Sequence, residues 1–472
     1  MHIVDYFVIA GYFALVMYLG YYSMKKVSSF DDYAVAGRSM PLPIFFAAIA
    51  ATLCGGGATI GRISFMHTTG IIVFFALTGV VINQIFSGLF ISGRVHNAGK
   101  NVYSLGDLYG IYYGRSGRLL SSVFGFLFCV GAFGVQILAM GAILQTATGI
   151  SLIPAALIAS IVTLAYTWSG GILAVTLTDA VQYVIIVIGV TLCAYLAIDH
   201  LGGFDAMMSI LYSNPRFETN MKPLANWSLV QFLGLFFSFL LGEFCAPYYI
   251  QRYASTKSAK NGLLIFGVHW IFFMATTAAI GLASMAIQPD VKPDLAFTNL
   301  IRDILPPGIT GLVFGALLAA VMSTGAAMIN TSAVIYTRDI YNKFINTAAT
   351  QAQLLRQSRL STLVVGGISI GVAIIFQDVF GLMIYMFKLW PSAILPPLMC
   401  GLLWGKISPY AGAPAVIAGG LSFFLWSDKV LGEPFGIPAN FIGIGMNCLV
   451  LFFVHQKMKG HKPEGPFLPD LN

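Results

Sequence analysis

The sequence predicts an all-α polytopic membrane protein with about thirteen transmembrane helices, ten of which form two inverted repeats of five. Of the 472 residues, 58% are hydrophobic and 9% are charged, whereas soluble domains carry roughly a quarter charged residues. Apolar segments long enough to cross a bilayer as helices recur along nearly the whole chain. Two of these segments are interrupted at matching places, and the interruptions indicate the repeat.

Each candidate span has about the 20 apolar residues that a helix needs to cross the hydrocarbon core. The candidate spans cover about residues 4–23, 42–68, 71–93, 119–147, 151–168, 172–198, 227–250, 262–287, 309–336, 360–377, 379–404, 409–427 and 436–454. The first span lacks the basic segment and the small-residue cleavage site of a signal peptide. We therefore predict that it is retained.

Basic residues predict the orientation of the spans. With the N-terminus outside, 18 of the 25 Lys and Arg residues fall in inner loops and 5 in outer loops. This bias follows the positive-inside rule, so the C-terminus is predicted to be cytoplasmic. The net charge of +7 is spread over short loops and does not indicate nucleic-acid binding. The six cysteines lie in apolar segments without CxxC spacing, which predicts free thiols and no metal site.

The second predicted span is interrupted by Gly55, Gly56 and Gly57, and the seventh by the stretch from Gly242 to Pro247. Five spans separate the two interruptions, so the two helices cross in opposite directions. Broken helices at matching places in inverted halves indicate a binding site at the membrane midplane. The alternative is that the glycines serve only close helix packing. We predict one transporter domain, 1–472, with repeats 41–199 and 226–405 and with peripheral helices and tails 1–40 and 406–472.

Oxygen atoms suited to Na⁺ are predicted at the second and ninth spans. Ser323, Thr324 and the carbonyl of Ala320 one turn earlier offer three oxygens, and the carbonyls of Ala51 and Cys54 offer two more. Five neutral oxygens suit a hard monovalent cation. The alternative is that the two hydroxyls bond only to carbonyls of their own helix.

Four stretches carry a resemblance to the sodium/solute symporter family, which has the LeuT-type inverted-repeat fold. They are DDYAVAGRSMP (31–41), SGGILAVTLTDAVQ (169–182), LGEFCAPYYIQRYASTKS (241–258) and LLAAVMSTGAAMINTSAVIYTRDIY (317–341). Their order and spacing are similar to those of the family. Within it, the seventh-span stretch resembles sodium/proline symporters, and the glycine interruption resembles the choline-transporter branch.

The resemblance implies a Na⁺ site formed by Ala51, Cys54, Ala320, Ser323 and Thr324. It also implies that Asp179 lies on the route by which the ion leaves to the cytoplasm. The alternative for Asp179 is a carboxylate stabilised by a nearby helix N-terminus. Ala326 and Ala327 stand where some members of the family have the serines of a second sodium site. We therefore predict one Na⁺ per cycle.

Three charged residues are predicted to face the substrate cavity: Arg62, Glu243 and Lys388. Each costs about 2.5–3.5 kcal/mol to place in a membrane helix. In one interpretation, Arg62 binds a substrate carboxylate and Glu243 an amine. In a second, the two form a gate. In a third, they are a structural ion pair, and Lys388 extends its stem to reach a carbonyl.

Gln136, in the middle of its predicted span, is a further candidate for the substrate site, together with Gly55 and Gly56. The alternative for Gln136 is a hydrogen bond between helices. Substrates of two related branches are disfavoured. Leu53 stands where choline carriers have a tryptophan, and Ala139 lies near the position of an arginine in sialic acid carriers.

We predict a Na⁺-coupled secondary active symporter of the plasma membrane that imports a small organic solute, with an amino acid or small carboxylate favoured. The alternatives are an H⁺-coupled transporter of the same fold and a transporter-like membrane sensor. An enzyme is disfavoured, because the GxSxG match at 367–371 lies inside a predicted span. The expected partners are the solute, Na⁺ and the lipid bilayer, without nucleic acid, and the expected state is a monomer or weak oligomer.

Overall fold

A computed structural model of the protein describes residues 1–98, 101–218, 221–222, 227–255, 262–376 and 378–459. Helices joined by short loops make up this part of the chain. The helices of the first half are α1 (Ile3–Met24), α2 (Phe30–Val35), α3 (Leu42–Thr52), α4 (Arg62–Thr69), α5 (Ile72–Phe86), α6 (Ser92–Asn97), α7 (Leu105–Thr148), α8 (Leu152–His200), α9 (Phe204–Ser213) and α10 (Pro215–Glu218). Those of the second half are α11 (Leu229–Gly242), α12 (Pro247–Ser255), α13 (Gly262–Ile287), α14 (Ala296–Ile304), α15 (Ile309–Ile335), α16 (Gln351–Phe376), α17 (Val379–Ala393), α18 (Leu395–Met399), α19 (Gly412–Trp426) and α20 (Ala439–Lys457).

Within the described residues, ten helices are long and apolar enough to cross a membrane, or twelve if each of two bent pairs is one span. The helix α8, with 49 residues, covers two of the predicted spans and would be roughly 73 Å long if straight. Gly171, between those two predicted spans, has a φ of +54°, which an L side chain rarely adopts. The kink at Gly171 therefore divides α8 where the sequence predicts a turn. The count of thirteen spans and the sidedness of the termini remain predictions.

Both predicted interruptions are present. The helix α3 ends at Thr52, and a π-helical turn, Gly57–Gly61, leads into α4. The two halves of this span are bent by 55°. In the second interruption, α11 ends at Gly242 and α12 begins at Pro247, and Cys245 between them has a φ of +53°. Unwound backbone at membrane depth is tolerated where protein buries it or where it lines a cavity.

The helix α15 lies at the centre of the bundle. It packs against α1, α3, α7, α8 and α16, and every residue from Val313 to Ile335 is buried. Small residues allow this close packing, as they do in membrane helices generally. For example, a Cβ added at Gly189 of α8 would clash with the Cβ of Ala316. This long, deeply buried helix also carries Ser323 and Thr324.

A carboxylate from α1 caps the N-terminal end of α15. Asp5 is buried, and its Oδ1 accepts hydrogen bonds from the backbone N–H groups of Gly308 (2.7 Å) and Gly311 (2.9 Å). The first N–H groups of a helix have no partner within the helix, and its dipole favours a negative charge there. Asp5 therefore fixes the position of α15 relative to α1.

Replacing Asp5 with alanine is expected to lower the thermal stability of the purified protein without changing its dependence on Na⁺. The N–H groups of Gly308, Gly311 and His2 lose their acceptor, and the loss of a helix cap costs about 0.5–2 kcal/mol. The measurement is the midpoint of thermal unfolding in detergent. The control is Asp303→Ala, since Asp303 forms an exposed ion pair with Arg302. Equal midpoints for the two variants would contradict the capping role.

Candidate functional site

A cavity of about 60 Å³ lies at the break between α3 and α4, enclosed also by α5, α7, α11, α15 and α17. Most of its lining is apolar: Leu53, Gly55, Gly57, Ala58, Val73, Leu77, Val80, Phe128, Ala132, Val135, Phe239, Met328, Met383, Met386 and Phe387. The polar lining residues are Thr52, Arg62, Gln136, Glu243 and Thr324. An apolar cavity with a few convergent polar groups is typical of small-molecule sites.

Four of the five predicted Na⁺ ligands come together beside this cavity. Ser323 Oγ donates to the carbonyl oxygens of Ala51 (3.0 Å) and Ala320 (2.9 Å). Thr324 Oγ1 donates to the carbonyl oxygens of Thr52 (2.7 Å) and Ala320 (3.0 Å). The hydroxyls thus bond to their own helix and also to the end of α3. The structure adds Thr52 to these four residues. We call Ala51, Thr52, Ala320, Ser323 and Thr324 the oxygen cluster.

Cys54, the fifth predicted ligand, lies immediately after α3. Its N–H donates to the carbonyl of Ala51 (3.0 Å), and its Sγ lies 3.2 Å from the carbonyl oxygen of Ala50. The Sγ also lies 3.6 Å from Nε2 of His269, whose Nδ1 is 2.8 Å from the hydroxyl of Tyr183. These contacts hold the unwound segment next to the oxygen cluster.

The glycines of the first break allow its backbone to lie close to α7 and α15. A Cβ at Gly55 would lie 2.6 Å from Oγ1 of Thr324, and one at Gly56 would clash with the Cβ of Ala139. The N–H of Gly56 donates to Oε1 of Gln136 at 2.7 Å. Gln136 therefore lines the cavity and also makes a hydrogen bond between helices, so the two interpretations of this residue are compatible.

Arg62 and Glu243 both line the cavity, as the sequence predicts. Arg62 is 2% exposed, and its Nη1 donates to Oγ1 of Thr277 at 2.9 Å. Glu243 follows α11 and lies within hydrogen-bonding reach of Tyr248 and Tyr249. The cavity is therefore lined by one guanidinium and one carboxyl side chain.

The structure corrects the placement of Lys388. Its Nζ lies 2.8 Å from Oε1 of Glu433, and both side chains are 23% exposed. The two residues line a neighbouring pocket of about 770 Å³, together with Trp227 and Tyr385. The position of Lys388 along its predicted span indicates its depth in the membrane but not the direction in which its side chain points. Sequence reasoning therefore placed it in the substrate cavity. Its partner comes from the linker between α19 and α20.

Sequence reasoning also missed the partner of Asp179. Asp179 is fully buried, and its Oδ2 accepts a hydrogen bond from Nη2 of Arg252 at 2.7 Å. The same nitrogen donates to Oγ1 of Thr52 at 2.7 Å. Arg252 lies two residues beyond the predicted span 227–250, although its position shortly after the Gly–Pro interruption was a signal that it belongs to the broken span. It lies within the nine-residue helix α12.

A helical membrane bundle with two broken helices, a cluster of neutral oxygens at one break and a small cavity beside it has the form of a secondary transporter. The sequence profile of the sodium:solute symporter family matches residues 33–419. The chain belongs to this family.

Two relatives agree with this membership, and one solved structure has a similar fold. The chain is 25% identical over 446 residues to the osmoregulated proline transporter OpuE of Bacillus subtilis, covering 90% of this chain and 89% of the relative. It is 25% identical over 430 residues to the sodium/proline symporter of Escherichia coli, covering 87% and 85%. The fold is similar to that of a Na⁺-coupled sialic acid symporter in its substrate-bound, outward-open state, with a TM-score of 0.81 and 19% identity over 97% of this chain and 98% of that one.

These comparisons confirm several predictions made from the sequence. The chain is a multi-pass plasma-membrane transporter with an all-helical fold, and it is not an enzyme. Its family uses Na⁺ as the coupling ion, as predicted.

Proposed function

We propose that this protein imports a small amino acid together with one Na⁺ by alternating access. The observation that carries the proposal is the oxygen cluster, which joins the broken end of α3 to the buried helix α15 beside a cavity with charges of both signs. Repeats 41–199 and 226–405 are the two inverted halves of the transporter. The Na⁺ ligands are Ala51, Cys54, Ala320, Ser323 and Thr324.

Na⁺ binding stabilises one arrangement of the first break. The hydroxyls of Ser323 and Thr324 donate to carbonyls at the end of α3, and a hydroxyl oxygen also has lone pairs that it can turn to a cation. An ion among these oxygens replaces two hydrogen bonds with ligand bonds that hold α3 against α15. The membrane potential adds about 2.3 kcal/mol per charge per 100 mV to the inward driving force.

The cavity supports an amino acid as the solute. Arg62 is suited to a carboxylate and Glu243 to an amine, since charge-assisted hydrogen bonds are the strong ones. Met328, Met383 and Met386 provide flexible apolar surface for the rest of the solute. Two relatives named as proline transporters add support from outside the structure.

Neutralising either cavity charge is expected to raise the KM for the solute by about tenfold or more, since hydrogen bonds to charged groups contribute about 1.5–3 kcal/mol. The variants are Arg62→Gln and Glu243→Gln, and the measurement is initial uptake into proteoliposomes. Na⁺-induced thermal stabilisation should remain. The control is Arg302→Gln, an exposed residue. An unchanged KM in both cavity variants would exclude the proposed recognition.

The experiment that tests the function as a whole is thermal unfolding of the purified protein across a library of amino acids and small carboxylates. Each solute is measured in Na⁺ and again with choline in its place. A ligand that binds the native state raises the unfolding midpoint. Stabilisation by an amino acid only in Na⁺ is the expected result. Stabilisation that is independent of Na⁺ but changes with pH would contradict Na⁺ coupling and favour a proton.

A further inference from the structure

We propose that Arg252 is a positioning residue that controls the release of Na⁺. Its guanidinium neutralises Asp179 while the ion occupies the oxygen cluster, and its withdrawal with α12 leaves a carboxylate that draws the ion out. This inference rests on the proposed Na⁺ symport. It assigns a role to a buried ion pair that the sequence did not predict.

The geometry connects this ion pair directly to the oxygen cluster. Nη2 of Arg252 lies 2.7 Å from both Oδ2 of Asp179 and Oγ1 of Thr52. The carbonyl oxygen of Thr52 accepts the hydrogen bond from Thr324 at 2.7 Å. A single residue, Thr52, therefore separates the guanidinium from a proposed Na⁺ ligand. Any displacement of Arg252 alters the surroundings of both the carboxylate and the oxygen cluster.

Burial makes the charge of Arg252 effective at this position. The side chains of Arg252 and Asp179 are 1% and 0% exposed. Charges interact strongly where water is excluded, and an arginine remains protonated in proteins. Among the described residues, no group donates a hydrogen bond to Oδ1 of Asp179. Without Arg252, the ionised carboxylate would therefore lack its counter-charge, and a Na⁺ ion from the adjacent oxygen cluster could supply one.

The ion pair also connects elements that are expected to move relative to one another. Arg252 belongs to α12, the half-helix that follows the second break, and Thr52 ends α3 at the first break. Asp179 belongs to α8, which packs against α1 and α15. Broken helices are the parts of such transporters that line the site and rearrange around it. A shift of α12 away from α8 would break the 2.7 Å contact and free the carboxylate.

The first test compares Arg252→Gln with Arg252→Lys and with the exposed control Arg356→Gln. Na⁺ affinity is read from Na⁺-induced thermal stabilisation, and transport is read as net uptake and as solute counterflow in proteoliposomes. Arg252→Gln is expected to raise Na⁺ affinity by about fivefold or more, because the buried carboxylate is then uncompensated. Net uptake should fall, since no guanidinium returns to displace the Na⁺ that Asp179 has drawn from the oxygen cluster, while counterflow continues with Na⁺ bound. Arg252→Lys, which keeps the charge, should restore net uptake and Na⁺ affinity.

A second variant guards against a folding defect, since removing one partner of a buried ion pair is destabilising. Arg252→Gln combined with Asp179→Asn leaves no uncompensated charge. This double variant is expected to have the Na⁺ affinity of the wild type. Its net uptake should stay slow, because the Asp179 carboxylate on the exit route is missing. Wild-type net uptake in this double variant would overturn the proposal.

A purely structural ion pair would give a different pattern. Arg252→Gln would then leave Na⁺ affinity unchanged and would reduce net uptake and counterflow by the same factor. That result would overturn the role of Arg252 and leave Na⁺ symport intact. Failure of the proposed function would appear earlier, as wild-type uptake that does not depend on Na⁺.

Discussion

Replacing both Ser323 and Thr324 with alanine is expected to abolish Na⁺-stimulated uptake while the protein remains folded. The double change removes the two hydroxyl oxygens that α15 contributes to the oxygen cluster, together with their hydrogen bonds to Ala51 and Thr52. Because each polar group that binds a charge contributes about 1.5–3 kcal/mol, the loss of two should reduce Na⁺-dependent uptake by about a hundredfold or more. The measurement is uptake into proteoliposomes under an imposed Na⁺ gradient.

The matched control is Ser332→Ala on the same helix. Ser332 is also buried, but its hydroxyl donates to the backbone carbonyl oxygens of Met328 and Ile329, which belong to α15 itself. This variant should retain uptake close to that of the wild type and should be stabilised by Na⁺ as the wild type is. If the Ser323 and Thr324 double variant kept its full sodium dependence, the ion would have to bind elsewhere.

Gly56→Ala is expected to reduce uptake by about tenfold or more, and Ala139→Gly in the same molecule is expected to restore much of it. An added Cβ at position 56 would clash with the Cβ of Ala139 and lie 3.3 Å from Oε1 of Gln136. Overpacking a filled site costs about 1–3 kcal/mol. Glycine at position 139 removes the Cβ that a side chain at position 56 would meet. The second change therefore tests whether Gly56 is needed for close packing against α7.

Gly367→Ala is the control for this pair, because a Cβ there meets nothing within 4 Å. It should transport normally. A combined Gly56→Ala and Ala139→Gly variant as defective as Gly56→Ala alone would mean that the glycine serves backbone flexibility instead of packing.

The sequence predicted those features that have a local signal. Consecutive glycines marked the end of α3, a Gly–Pro stretch marked the end of α11, and adjacent hydroxyls marked the face of α15 that meets Ala51. The all-helical fold followed from composition, since a chain with 9% charged residues has few alternatives. In each case, the residues that carry the signal are also those that form the structure.

Pairings between distant charges were not predictable in the same way. Arg252 and Asp179 are separated by 73 positions, and Lys388 and Glu433 by 45. Whether such side chains meet depends on how each helix is rotated and kinked, and α17 contains Pro391 near its end. Residue type and depth along a span do not determine that rotation. The sequence therefore indicated which residues were costly to bury but not which partners they had.

The methionines of the cavity wall have a consequence for how this transporter can evolve. Met383 and Met386 lie on α17 and Met328 lies on α15, one turn beyond Thr324. An unbranched thioether side chain adapts to different shapes and tolerates replacement. If the cavity binds the solute as proposed, exchanges on α17 alter its specificity while the oxygen cluster of α3 and α15 stays intact. In the proposed site, substitutions on α17 can thus change the preferred solute without altering the residues proposed to bind Na⁺.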